Sequence, residues 1–163
     1  ARRADHVGVI FQQFNLLPWL SVLDNVLLPC RFSALRAARA QRSAGAPLAA
    51  AEDLLRRVGL PATLWRRPAR TLSVGQQQRV AAARALIGAP ELVLADEPTS
   101  ALDAPLRDQF MTLLRTECAA SGAALVFVSH DERLAAAFDE RLDLPSLNRA
   151  AHPLEAAAPA GAA

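Results

Sequence analysis

Three short apolar runs in this chain each end in a side chain able to handle a phosphate, a metal ion or a water molecule. Val7-Gly8-Val9-Ile10-Phe11 leads into Gln12. Leu92-Val93-Leu94-Ala95 leads into Asp96-Glu97, and Ala124-Leu125-Val126-Phe127-Val128 into Ser129-His130. An apolar strand followed by Asp is the pattern in which a carboxylate holds Mg²⁺ beside nucleotide phosphates. The adjacent Glu97 is then placed to orient or deprotonate a water, help typically worth roughly 10²–10⁴-fold in rate. A histidine aimed at the same place, His130, can hydrogen-bond a transferring phosphoryl group. Each end also has a plainer reading. Gln12 alone fits a loop, Asp96-Glu97-Pro98 fits a turn after a strand, and Ser129 with Glu132 fits a capping box at a helix start. Three such ends in one chain argue for a single site.

The segment Leu72-Ser73-Val74-Gly75-Gln76-Gln77-Gln78-Arg79-Val80 carries a second signal. A Ser and then a Gly open a helix that begins with three glutamines. A helix N-terminus has unpaired N–H groups and a partial positive charge, so it favours anions. Gly75 allows close approach of backbone, and Ser73 can cap the helix or donate to a phosphate. For Ser73 alone, an ordinary cap is the simpler reading.

The elements that must position these residues alternate strand and helix, which means an α/β protein with a parallel sheet. The three runs are apolar throughout, as expected of strands covered by helices on both faces. In such sheets ligands bind at the carboxyl ends of the strands, so the three polar ends should converge. Between the first two strands lies a helical block over about 21–72. Its helices are read over 21–32, with Pro29 kinking or ending the first, 35–42, and 48–58, the last ended by Gly59. A helix over about 73–88 follows, then helices over 106–120 and 131–138 and a possible edge strand over 142–144. From 145 to 163 the chain is rich in Ala and Pro and reads as a disordered tail.

Composition bounds the chemistry. The chain has 163 residues, 52% of them hydrophobic, with a net charge of +2. All 18 basic residues are arginine. With no lysine, neither a Schiff base nor a phosphate-gripping P-loop lysine can come from these residues. The two cysteines, Cys30 and Cys118, have neither metal-ligand nor disulfide-framework spacing. No apolar run reaches the roughly 18–20 residues that span a bilayer. Arginines 31, 36, 39, 42, 56, 57, 66, 67 and 70 read as solvated helix faces, and no nucleic-acid partner is expected. Phe14 to Leu20 is an apolar loop, either an interface or packing for Trp19. The absence of an initiator Met and the abrupt entry into a strand read as the C-terminal part of something longer.

L-S-V-G-Q-Q-Q-R-V with A-R-A-L, then L-V-L-A-D-E-P-T-S-A-L-D, then V-S-H-D, resembles ABC transporter ATP-binding subunits in order and spacing over about residues 7–144. The stretch F-Q-Q-F-N-L-L-P-W-L-S-V-L-D-N-V looks most like the lipoprotein-release and macrolide-export branch, although amino-acid importers share much of it. The resemblance implies a P-loop NTPase-like fold with an inserted helical subdomain, ATP and Mg²⁺ as ligands, and ATP hydrolysis. It implies that Gln12 senses the γ-phosphate, Mg²⁺ and water, that Asp96 holds Mg²⁺, that Glu97 is the catalytic carboxylate and that His130 is the switch histidine. Ser73, Gly75 and Gln76 would contact ATP held by an opposite subunit, and Asp103 would sit in the loop crossing that interface. Implied partners are a second ATP-binding subunit and a transmembrane permease, at the cytoplasmic face of the cell membrane. Val74 departs from the family's usual glycine. No G-x-x-x-x-G-K-[ST] occurs in the chain, which is therefore expected to be inactive alone and marginally stable.

Overall fold

The computed structural model describes residues 3–100 and 102–147. After a single helical turn, α1 (Arg3–His6), three strands form a parallel sheet in the order β1-β2-β3. They are β1 (Val7–Ile10), β2 (Leu92–Asp96) and β3 (Ala124–Val128). The register pairs Ile10 with Ala95, Ala95 with Phe127, and Asp96 with Val128, so the carboxyl ends of all three strands share one edge. The apolar, β-branched runs supply the strands, and their burial alternates. Ile10, Val93 and Ala95 are fully buried, whereas Val7, Val9, Leu92 and Leu94 are only half-buried.

The buried face packs on two helices, and β1 touches the one that carries Ala85. A Cβ on Gly8 would lie 2.2 Å from the Ala85 carbonyl oxygen, so the glycine is what lets this strand and helix touch. The expectation that helices cover both faces does not hold among the described residues. β3 in particular has Ala124 and Val126 exposed, so it is not a fully buried strand. A run of apolar residues records what can be buried, and the neighbouring layers decide what is.

The helical block contains α2 (Val22–Phe32), α3 (Ala34–Ala44) and α4 (Pro47–Arg57), followed by two short 3₁₀ turns. The Ser21 hydroxyl accepts the Asp24 N–H at the start of α2. Pro29 neither ends α2 nor leaves its ladder whole. The helix runs on to Phe32, while the proline has no N–H for the Asn25 carbonyl. Gly45, at φ 77°, closes α3. Gly59, at φ 70°, closes α4 with the Leu60 N–H on the Leu55 carbonyl and the Gly59 N–H on the Arg56 carbonyl, a Schellman end. Apolar faces of α2 and α4 pack on α5 (Val74–Leu86), and α5 packs in turn on β1 and on α6 (Ala104–Ser121). The helix that opens with L-S-V-G-Q-Q-Q-R-V, the signature segment, is therefore the shared wall between helical block and sheet.

Arg36 fixes that joint and is not the solvated residue its spacing predicts. It is 2% exposed. Its Nε donates to the Ile87 carbonyl at 2.8 Å and its Nη2 to the Ala85 carbonyl at 2.6 Å. These are the orphan carbonyls at the C-terminal end of α5, where a cation is favoured. Burial pushes the guanidinium down to about 10, so it remains charged at neutral pH. Other arginines of the block do lie at the surface, paired as Arg31 with Asp24 and Arg57 with Glu117.

The chain divides into two units, Ala1–His130 and Asp131–Ala163. In the second, Glu132–Ala137 is a 3₁₀ helix rather than an α-helix over 131–138. Its cap is Asp131, which accepts the Arg133 N–H. No strand forms over 142–144; a short helix, α7 (Leu144–Leu147), ends the described chain. Most of the expected tail, residues 148–163, lies outside the described residues, as does His152. No helix of the described residues is long and apolar enough to cross a membrane.

Candidate functional site

The parallel register brings three of the predicted chain ends to one edge. Asp96 closes β2 beside Val128, and Gln12, Glu97 and Ser129 each lie two residues past a shared rung, that of Ile10, Ala95 and Phe127. Adjacent strands sit about 4.8 Å apart, so residues scattered over 118 positions, from Gln12 to His130, emerge from neighbouring strands. Gln12 and Asp96 are exposed, and Glu97 is half-buried.

Glu97 is the most constrained residue of the edge. Its backbone is left-handed at φ 45°, a conformation sparsely populated by non-glycine residues. Two bonds hold it there. Its N–H donates to the Val128 carbonyl at 3.0 Å. Its carboxylate accepts the His130 backbone N–H at 2.9 Å. The His130 ring nitrogen Nε2 stands 3.5 Å from the same oxygen, on a side chain that is 99% exposed. Glu97 and His130 are thus brought into contact, with the imidazole free to swing towards solvent.

The signature segment is built at the start of α5. Ser73 caps it, its hydroxyl accepting the Gln76 N–H at 3.4 Å while Gln76 Oε1 accepts the Ser73 N–H at 3.0 Å. Both the cap and the anion-binding readings survive this geometry. A hydroxyl that accepts still has its own O–H to donate, and the N–H groups of Val74 and Gly75 have no intrahelical acceptor by position. A Cβ on Gly75 would meet nothing within 4 Å, so the glycine keeps open space at the helix end rather than relieving a contact inside the chain. Asp103 is exposed and caps α6, its Oδ1 accepting the Leu106 N–H at 3.0 Å. Ala101, in the same motif, lies outside the described residues.

Two residues absent from the sequence-based set tie these parts together. Gln78 is 2% exposed, and its Nε2 donates to the Pro98 carbonyl at 2.8 Å, joining α5 to the turn that holds Glu97. A polar residue in helical phase with Ala81, Ala82 and Ala85 on the buried face was its signal in the sequence. Arg84 donates to the Asn15 and Phe14 carbonyls, at 2.6 Å and 2.5 Å, in the loop that follows Gln12. Nothing in the sequence marks that pairing. Trp19, in the same loop, is 69% exposed, so it is not packing for the helical block.

Among the described residues no cluster of three or more His, Cys, Asp or Glu side chains is placed to hold a metal. Asp96 and Gln12 are the side chains of this edge that could hold an ion which keeps several waters and binds through one or two protein oxygens, as Mg²⁺ does.

Residues 1–100 match the family model described as ABC transporter. The chain is similar to the lipoprotein-releasing system ATP-binding protein LolD of Anaeromyxobacter dehalogenans, 46% identical over 142 residues, covering 87% of this chain and 56% of that protein. It is also similar to a probable export ATP-binding/permease protein MacB of Pseudomonas entomophila, 44% identical over 137 residues, covering 83% of this chain and 19% of that protein. Among solved structures it resembles the dimeric post-hydrolysis state of the ATP-binding cassette MJ0796 bound to ADP and Pi. That match has a TM-score of 0.63 and 38% identity, and covers 82% of this chain and 56% of that one. The chain thus spans about half the length of a single cassette relative.

Proposed function

The chain belongs to the ABC transporter ATP-binding family, and from that premise we propose that it works within an ATP-hydrolysing transport subunit of the lipoprotein-release or macrolide-export branch. The branch reading rests on the similarity to LolD and MacB proteins. The observation that carries the catalytic reading is the shared strand edge, with Asp96 and Glu97 at the end of β2, His130 just past β3 and Gln12 just past β1.

Each residue then has a role set by its chemistry. Asp96, exposed at the end of β2, offers a carboxylate to Mg²⁺, and Gln12 an amide oxygen. Mg²⁺ brought with ATP would neutralise charge on the phosphates. Glu97 is the acceptor for the proton of the attacking water, and its bond from the His130 N–H sets the direction of its carboxylate. His130 presents a ring N–H towards the phosphoryl oxygens. The start of α5, through Ser73, Gly75 and Gln76, faces ATP held on a second subunit, and Asp103 lies in the loop that crosses between the two. The assembly is a head-to-tail pair with a transmembrane permease, at the cytoplasmic face of the membrane.

The lack of lysine gives a second reading for these residues taken alone. A polypeptide of these 163 residues has no side chain of the P-loop type to hold the β- and γ-phosphates. It serves at most as the complementary half, offering its signature to an intact cassette. The test is ATP turnover by the purified 163-residue polypeptide, alone and mixed with an intact LolD-type cassette. The expected result is no turnover above background alone. Turnover by the polypeptide alone would overturn this reading, and stimulation of the intact cassette that vanishes with Ser73→Ala would support the pairing.

A further inference from the structure

Gln12 sits in a turn that has no regular structure of its own to hold it. The turn is closed by the Phe14 N–H on the Phe11 carbonyl at 2.9 Å, and the Asn15 N–H reaches the Gln13 carbonyl at 2.7 Å. Phe14 and Asn15 are both left-handed, at φ 58° and 48°. Two consecutive non-glycine residues in this region persist only when their surroundings over-determine them. Phe14 supplies one constraint, its ring being buried in the core. The other comes from α5. Arg84 Nη1 donates to the Asn15 carbonyl at 2.6 Å and Nη2 to the Phe14 carbonyl at 2.5 Å, a forked grip on both left-handed residues. Only a planar guanidinium offers two parallel donors in that geometry.

We propose that Arg84 is the positioning residue for Gln12, holding the Phe14-Asn15 pair that aims it and fastening the loop after β1 to the helix that begins at Ser73. The proposal rests on the reading of Gln12 given above. Its consequence is mechanical. Gln78 ties the same helix to the Pro98 carbonyl beside Glu97. α5 therefore grips both the Gln12 loop and the Glu97 turn, and movement at its N-terminus reaches both. Arg79 provides the control. It lies on the same helix and makes a comparable grip, with Nη1 on the Val58 carbonyl at 3.0 Å, but at the end of α4.

The test compares Arg84→Met, Arg84→Lys and Arg79→Met in the folded chain by amide hydrogen exchange, which reads local opening. Arg84→Met should speed exchange at the Phe14 and Asn15 amides by about 10-fold or more, the loss expected of two charge-assisted bonds. Arg84→Lys, with one point of attachment, should fall between. Arg79→Met should leave both amides unchanged. Unchanged exchange in Arg84→Met, or equal acceleration by Arg79→Met, overturns the proposal. In the assembled transporter, kcat should fall with Gln12→Ala and with Arg84→Met. The double variant should be no slower than Gln12→Ala, with KM for ATP little changed. Additive losses would show that Arg84 acts elsewhere and would overturn it. If Gln12→Ala leaves kcat unchanged, the reading of Gln12 falls and the proposal with it, whereas unchanged exchange beside a fully active Gln12 removes the proposal alone.

Discussion

The Glu97 carboxylate accepts the His130 backbone N–H at 2.9 Å, so the side chain just past β2 also holds the first residues beyond β3. The same oxygen stands 3.5 Å from the His130 ring. This carboxylate has a structural bond of its own beside the catalytic role proposed for it, and substitutions can separate the two.

Glu97→Gln keeps an acceptor oxygen for the His130 N–H, whereas Glu97→Ala removes it. Stability should change by less than about 0.5 kcal/mol in the first and fall by about 1 kcal/mol in the second, the net worth of one hydrogen bond. ATP turnover by the assembled transporter should fall by about 10²-fold or more in both, because neither retains a base. Urea unfolding of each variant, read beside its turnover, checks the separation. Turnover retained in Glu97→Gln would remove Glu97 from the chemistry.

Gly75→Asp should fold normally. A Cβ there meets no atom within 4 Å, and a carboxylate in the first turn of a helix favours its dipole. The same charge repels phosphates from the helix end. The expected outcome is an unchanged or slightly raised midpoint of unfolding, with loss of nucleotide-dependent pairing by sedimentation. A strongly destabilised variant would mean that the open space is not available.

Gly8→Ala should be among the most damaging single methyl additions to this chain. The new Cβ would sit 2.2 Å from the Ala85 carbonyl oxygen, and neither β1 nor α5 can yield without disturbing the sheet. Overpacking of this kind costs about 1–3 kcal/mol or more. Circular dichroism and urea titration measure it, and a loss below about 0.5 kcal/mol would contradict the close strand–helix contact.

At the opposite end of the sheet, Glu91 is gripped by Arg39 and by His6, and these hydrogen bonds hold its carboxyl below its ordinary value of 4.5. A depressed acid contributes stability above its unfolded pKa and loses it as pH falls through the folded value. Stability should therefore decline below about pH 4.5, and Glu91→Gln should flatten that decline. Unfolding free energies measured from pH 6 down to pH 3 decide the matter; identical slopes for both proteins would exclude Glu91 as a contributor.

By itself the sequence determined the strand–helix alternation, the three polar strand ends and the signature cap. These depend on local pattern: β-branched apolar runs, a Ser three residues before a Gln, and a Gly where a helix must stop. Periodicity also placed α2 through α5 within a few residues. Tertiary structure alone decided the rest. Arg36 lies on an Arg/Ala helix that reads as solvent-facing, yet it is buried because the carbonyl end of α5 meets it. The Arg84 grip on Phe14 and Asn15 joins residues about 70 positions apart, and no local pattern encodes such a pair. β3 has the composition of a buried strand and is half-exposed, because burial depends on which layer packs against it. The left-handed turn of Glu97 likewise comes from the Val128 carbonyl and the His130 N–H on the neighbouring strand. Hydrophobic period and capping act over a few residues, whereas the buried Arg36, the grip of Arg84 and the strained carboxylate answer to partners that only the folded chain supplies.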